Sequence, residues 1–132
     1  MGVNAVAKLM METEIPIMMT CADAAIPKGT VLKLSTPFTV SASSGDNEIF
    51  GGIAAEEKIS GDGKKQIAVY RGGYFRCEAG AGGVTVGLPV GLVALNNFKN
   101  FTAADGEKGY NFGTAMETAA DTEFFILHLG RA

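Results

Sequence analysis

The chain has 132 residues, a formal net charge of −3 and a pI near 5.1, so bulk positive charge does not recruit nucleic acid. A hydrophobic content of 47% excludes wholesale disorder. The length predicts one domain, and 18 glycines spread between short apolar runs predict an all-β fold with many turns, built as a small barrel.

The first 25 residues differ from the rest because they hold five of the six methionines. Pro16 lacks an N–H group and restricts the residues before it to extended shapes, which argues against a helix there. We therefore predict an extended N-terminal arm over residues 1–25, followed by a β-barrel domain over residues 26–132. Unbranched Met side chains suit an irregular partner groove. The alternative is that these residues fill the core of their own domain.

The barrel domain begins with a turn at residues 26–30 that leads into a short strand at residues 31–34. Residues 49–54 and 66–75 then predict a β-hairpin with a polar tip, broken near its end by two glycines. The residues with a predicted turn or bend role are Gly29, Gly51, Gly52, Asp62, Gly63, Gly72, Gly73 and Gly87.

The second half repeats features of the first half at an offset of about 60 residues. Residues 26–34 resemble 84–92, residues 50–54 resemble 112–116, and 67–69 resemble 125–127. Interpreted as a duplication, this echo predicts two three-strand halves that close on each other into one barrel. The alternative is chance similarity between glycine-rich strands. A long loop is expected over residues 96–109.

Candidate catalytic residues are few. His128, the single histidine, lies in the last apolar run, and nothing in the pattern directs Glu123 toward it as a partner. Cys21 and Cys77 lack metal-ligand spacing and are expected to be buried reduced thiols. Acidic residues Glu56, Glu57 and Asp62 fit no metal-binding loop. We expect no enzyme activity, no cofactor and no metal. Neither a signal peptide nor a membrane span is expected.

The chain resembles the head decoration proteins, or capsid cement proteins, of tailed bacteriophages, of the lambda-like type. The resemblance covers roughly residues 26–129 and is carried by glycines and strand patterns at residues 26–32, 50–54, 62–63, 67–75, 86–90 and 113–117. It implies a β-tulip fold, a homotrimer at three-fold or quasi-three-fold positions on the outer surface of the virion capsid, and no enzymatic activity. Neither a nucleic-acid partner nor a membrane partner is expected. Residues 96–109 depart from the compact pattern.

The resemblance also implies that the arm lies on the major capsid protein and cements the shell. The residues expected to add a strand to a sheet edge of that partner are Glu14, Ile15, Pro16, Ile17, Met18 and Met19. The alternative function is a β-barrel adaptor or fibre-base domain that binds a glycan or small ligand. In that case Phe98, Phe101 and Tyr110 would be the stacking residues.

Overall fold

The computed structural model describes residues 5–45, 48–100 and 112–130. Within these ranges the chain forms eleven β-strands and no helix, which confirms the predicted all-β class. The strands are β1 (Lys8–Met11), β2 (Ile17–Thr20), β3 (Val31–Thr36), β4 (Thr39–Ala42), β5 (Phe50–Ala54), β6 (Gln66–Tyr70), β7 (Gly73–Ala79), β8 (Pro89–Ala94), β9 (Asn97–Asn100), β10 (Gly113–Ala115) and β11 (Phe124–Leu129).

Strands β2–β6 close into a five-stranded barrel in the order β2-β4-β3-β5-β6, which we call the N-terminal barrel. Strands β7–β11 follow the order β7-β11-β10-β8-β9, and a pairing of β7 with β9 closes them into the C-terminal barrel. Strand β1 lies outside this ring, on the edge of β7. The prediction of one barrel made from two three-strand halves is therefore wrong, because each half contains five strands and closes alone.

The internal echo itself is present in the structure, since the two barrels share one strand order. In each barrel the first strand pairs antiparallel with the fifth and parallel with the third. The isolated bridge between Ile26 and Lys58 has a counterpart between Val84 and Ala119. The register also aligns Gly52 with Gly113, whose φ angles are +136° and +149°. The sequence match of residues 50–54 with 112–116 instead aligns Gly51 with Gly113.

The predicted hairpin of residues 49–54 and 66–75 forms only in part. Strands β5 and β6 pair antiparallel, with Ile53 opposite Tyr70. The second run ends at Tyr70, however, and Gly72 and Gly73 lead the chain out of the N-terminal barrel into β7. Gly72 and Gly73, which predicted a break in the second strand, thus form the junction between the barrels.

An apolar interface joins the barrels. Val31, Phe50 and Ile53 of the N-terminal barrel belong to the same buried cluster as the interior of the C-terminal barrel. The rings of Phe50 and Phe112 meet edge to face, with centroids 5.0 Å apart. A second cluster fills the N-terminal barrel and consists of Met19, Cys21, Ile26, Leu32, Val40, Ala54, Ile67 and Val69.

The prediction of an extended arm over residues 1–25 is corrected by the strand pairing. Strand β2 is an integral part of the N-terminal barrel, and its Met19 is 2% exposed in the core. Strand β1 pairs with β7, so the described residues before 25 are held by their own chain. A boundary at residue 25 would separate β2 from its barrel. A high methionine content does not distinguish an arm from a core strand, because Met fills core gaps as readily as partner grooves.

The predicted loop over residues 96–109 also needs correction at its start. Residues 97–100 form β9, which pairs with both β8 and β7. The remainder of that segment, from residue 101, lies outside the described residues.

Candidate interaction surface

The first strand of the N-terminal barrel has an open edge. Directly after β2, Cys21 N–H donates to Lys65 O on the side of β6, whereas Thr20 N–H in β2 donates to Phe38 O on the opposite side. Because this direction alternates along a strand, the backbone groups of Met18 face the side of β4. Strand β4 reaches only as far as Thr20, so no strand among the described residues pairs with Met18 on that side. An open strand edge is a template for pairing with another chain.

Apolar side chains surround this edge. Ile15 is 84% exposed, and Ile17 and Met18 are also exposed. Beside β2 lies a cleft of about 220 Å³, lined by Met19, Leu34, Pro37, Phe38 and Arg71. The surface of monomeric proteins rarely keeps such side chains clustered unless they serve binding.

Phe38 is the most unusual residue of this surface. It lies in the turn between β3 and β4, and its side chain is 68% exposed. Its φ angle of +52° belongs to the left-handed region, which is costly for a residue with a side chain. An exposed aromatic ring on a strained turn fits the role of an anchor at an interface.

The predicted arm residues divide between this surface and the core. Ile17, Met18 and Met19 lie in β2, and Ile15 is exposed just before it. The side chain of Glu14 lies beside Gly72 at the junction between the barrels. Contact of these six residues with a capsid protein stays a prediction.

The predicted turn positions require glycine for two different physical reasons. Positive φ angles, between +80° and +136°, occur at Gly29, Gly52, Gly63, Gly73 and Gly87. At Gly51 the cause is space instead, because backbone atoms fill the place of a side chain, whereas at Gly72 the neighbour is the flexible side chain of Glu14, which can move aside. A Cβ atom at Gly51 would lie 2.7 Å from Leu32 O, and one at Gly72 would lie 2.7 Å from Glu14 Oε1.

A second groove lies beside β1. It measures about 670 Å³ and is lined by Lys8, Lys28, Arg76 and Phe124 together with residues 5–7 and 9. Arg76 extends over the ring of Phe124, with its Cζ atom 4.7 Å from the ring centroid. The lining is apolar with three cations, which suits an acidic or anionic partner surface.

Lys58 forms a buried ion cluster that sequence reasoning did not single out. Its side chain is 2% exposed, and Nζ lies 2.6 Å from a carboxylate oxygen of both Asp23 and Asp62. Hydrogen bonds from Lys58 hold the pKa of each carboxyl below its ordinary value. Burial opposes the charge of Lys58, but its hydrogen bonds to Asp23 and Asp62 raise its pKa overall. Asp62 also accepts from Lys64 N–H.

This cluster orders a loop. Asp23 accepts hydrogen bonds from the N–H groups of Gly61 and Gly63, which tie residues 61–63 to the segment after β2. The corresponding bridge in the C-terminal barrel has Ala119 where this one has Lys58. The cluster is thus a feature of one barrel alone, and the sequence signal for it was an Asp four residues after a Lys.

The candidate catalytic residues lie apart from each other. Cys77 is 1% exposed, and burial raises the pKa of its thiol, which lowers the reactive thiolate fraction. Burial is also the largest cause of the raised pKa of Cys21. The His128 ring stacks on Tyr74, with centroids 4.6 Å apart. No group of three metal-ligating side chains occurs within the described ranges.

Of the predicted stacking residues, only Phe98 lies among the described residues. Phe98 is fully buried and packs edge to face against Phe112 and Phe125. It therefore serves the core of the C-terminal barrel, and its assignment as a glycan-stacking residue is wrong. Phe101 and Tyr110 lie outside the described residues. Across the described part of the chain, no helix is long and apolar enough to cross a membrane.

Comparison with known proteins identifies a fold. No family model matches the chain, and no curated protein matches it. Among solved structures, the N base of the head fibre protein gp8.5 of bacteriophage phi29 is similar, with a TM-score of 0.56 and 17% sequence identity. The similarity covers 93% of this chain and 97% of that chain. The two chains therefore share their overall fold across nearly their full lengths.

Proposed function

We propose that this chain is a structural protein of a bacteriophage virion, bound to the outside of the head. The observation that carries the proposal is the fold it shares, over 93% of its length, with the base of a phage head fibre. The resemblance of its glycine and strand pattern to head decoration proteins supports the same location from a different kind of evidence. In this role the chain works through its surfaces and catalyses no reaction.

We propose more specifically that the chain is a capsid cement protein. A homotrimer at three-fold or quasi-three-fold positions contacts the major capsid protein and stabilises the shell. Binding through three equivalent surfaces raises the effective concentration of the second and third contacts, so weak single contacts suffice. A ligand that binds the assembled lattice and not loose subunits stabilises the lattice by mass action. The open β2 edge and the exposed Phe38 supply contact groups for each protomer.

The second candidate is the base of a head fibre, which the same structural similarity favours. Such a base anchors a fibre and need not stabilise the shell. The two candidates therefore predict different calorimetry. A cement binds across neighbouring capsid subunits and raises the disassembly temperature of shells that lack the protein. A fibre base that binds within one subunit, equally well before and after disassembly, leaves that temperature unchanged.

The experiment uses capsids of the parent phage assembled without this protein. Wild-type protein is expected to co-sediment with expanded shells. Phe38→Asp is expected to weaken binding about thirtyfold or more, because an anchor at an interface centre typically contributes about 2 kcal/mol or more. Val86→Asp is the matched control, since Val86 is 56% exposed on the other barrel. Absence of binding by the wild type would overturn the proposal. Sedimentation equilibrium tests for a mass of three times 13.7 kDa.

A further inference from the structure

The two barrels provide an internal comparison for the open edge of β2. Strand β2 of the N-terminal barrel and β7 of the C-terminal barrel hold equivalent places. Each pairs antiparallel with the last strand of its barrel and parallel with the third. When these registers are aligned, Ile17 is structurally equivalent to Phe75, and Met18 is equivalent to Arg76.

The difference between the two strands is the presence of β1. On the edge of β7, β1 pairs antiparallel, with Lys8 opposite Arg76 and Leu9 opposite Phe75. On the edge of β2 the equivalent place holds no strand among the described residues. The same backbone positions are therefore paired in one barrel and open in the other.

Burial follows this difference. Phe75, beside which Leu9 lies, is 1% exposed, whereas its counterpart Ile17 is 41% exposed. Leu92 in β8 is fully buried, and its counterpart Leu34 is only partly buried and lines the 220 Å³ cleft. The apolar wall of the N-terminal barrel is thus less covered at these positions than that of the C-terminal barrel.

The hairpin turns show the same asymmetry. Asn96 and Phe38 occupy equivalent turns and share a left-handed backbone, with φ angles of +59° and +52°. Asn96 is 3% exposed and bonds to the neighbouring barrel. Phe38 is 68% exposed. In the C-terminal barrel this end is thus covered by protein, and in the N-terminal barrel it faces solvent.

We infer that the β2 edge is a docking site for an extended segment of another polypeptide. The segment pairs antiparallel with β2, places an apolar side chain opposite Ile17 as Leu9 lies opposite Phe75, and packs against Phe38. Strand β1 of the same chain is not the donor, because it is already paired with its own β7. The inference stands on the internal comparison and goes beyond the proposed function, since it specifies the orientation, register and side-chain chemistry of the segment that binds.

The test uses a synthetic peptide with the sequence of residues 5–12, which contains the strand that fits the equivalent edge. It is titrated into the full-length, ¹⁵N-labelled chain. We expect shifts at the amide of Met18 and slower hydrogen exchange there, because that N–H gains a partner. Met18→Pro removes this donor and leaves the backbone bonds of Ile17 and Met19 to β6, so affinity should fall about tenfold. Met18→Ala keeps the donor and controls for loss of the side chain.

A modified peptide tests the reciprocal hydrogen bond of the same residue pair, from the peptide N–H to Met18 O, without altering the protein. It covers the case that Met18→Pro does not fold. A methyl group on the N atom of the lysine corresponding to Lys8 blocks the hydrogen bond toward the edge. The same group on the leucine corresponding to Leu9 points away, because bonding direction alternates along a strand. The first peptide should lose binding and the second should retain it.

Three results would overturn the inference. One is a peptide that leaves the Met18 amide unperturbed. Another is equal affinity of both methylated peptides. The third is a wild-type chain that self-associates while Met18→Pro is monomeric, since a second copy would then occupy the edge. Sedimentation velocity on the free proteins distinguishes this last case.

Discussion

Gly29 and Gly87 occupy equivalent positions in the two barrels, with φ angles of +89° and +83°. The N–H of Gly29 donates to Ala54 O at 2.9 Å, and that of Gly87 donates to Ala115 O at 2.8 Å. Their surroundings differ. The carbonyl group of Ala7 packs directly over Gly29, whereas a Cβ atom at Gly87 would meet nothing within 4 Å.

This pair separates the cost of backbone conformation from the cost of crowding. We expect Gly87→Ala to lower the free energy of unfolding by about 1–2 kcal/mol, the cost of a left-handed alanine. Gly29→Ala should cost a further 1–3 kcal/mol, roughly, because its methyl group must displace the segment before β1. Urea denaturation measures both. Equal losses would show that the Ala7 segment yields freely at Gly29.

The bond between Val31 and Asn96 gives a second prediction, on the interface between the barrels. Val31 N–H donates to Asn96 Oδ1 at 2.8 Å, and Asn96 N–H donates to Ser43 Oγ at 3.1 Å. Asn96→Gly keeps a residue that tolerates positive φ but leaves the buried Val31 N–H without its acceptor. We expect a loss of about 1–3 kcal/mol in the free energy of unfolding.

The matched control for Asn96→Gly is Phe38→Gly. Phe38 occupies the equivalent turn with φ of +52°, and its side chain is exposed. Relief of left-handed strain there offsets the added freedom of the unfolded chain, so stability should stay within about 1 kcal/mol of wild type. A Phe38→Gly variant as unstable as Asn96→Gly would contradict the assignment of the Asn96 bond as the cause.

The repeat shows what the sequence could and could not predict. Short apolar runs between glycines predicted strands, and the recurrence of residues 26–34 at 84–92 predicted duplication. The number of barrels could not be predicted in this way. Strand β2 has only four residues and follows Pro16, and it becomes a barrel strand through pairing with β6, nearly fifty residues later. Such distant pairing leaves no local mark in the sequence.

The surface was harder to predict than the fold. Ile17 and Met18 were expected to bind a partner as a free arm, and the structure instead presents them on the edge of a barrel. The exposure of the Phe38 side chain could not be predicted, because it depends on what packs nearby. Lys58 was overlooked because burial of a lysine depends on two carboxylates, one of them 35 residues earlier.

The buried thiols give a third prediction. Cys21 and Cys77 are both nearly inaccessible, and burial raises the pKa of both thiols. Ellman's reagent at pH 8 should therefore react with neither in the folded protein and with both in urea. Val86→Cys supplies an exposed thiol as a positive control. Rapid reaction of Cys77 in the native protein would instead favour a nucleophilic role and count against a purely structural function.

The Lys58 cluster gives a fourth prediction, on the pH dependence of stability. The pKa of Asp23 and that of Asp62 lie below the ordinary value of 3.8 in the folded state. Their contribution to stability is therefore complete above that value and is lost as pH falls through the lower folded pKa. The pKa of Lys58 lies above 10.5, so its contribution is complete below 10.5 and is lost as pH rises through the higher folded pKa.

Lys58→Met tests this through the pH dependence of the free energy of unfolding. The size of the stability change at a single pH is not informative, since an apolar residue can replace a buried ion pair at little net cost. The difference in unfolding free energy between wild type and Lys58→Met should be level at intermediate pH. Below about pH 4, and again at strongly alkaline pH, the wild type should lose stability relative to Lys58→Met. Lys64→Met makes the same charge change at an exposed position and should follow the wild-type profile. A difference that stays level down to pH 2 would mean that neither carboxylate depends on Lys58 for its charge.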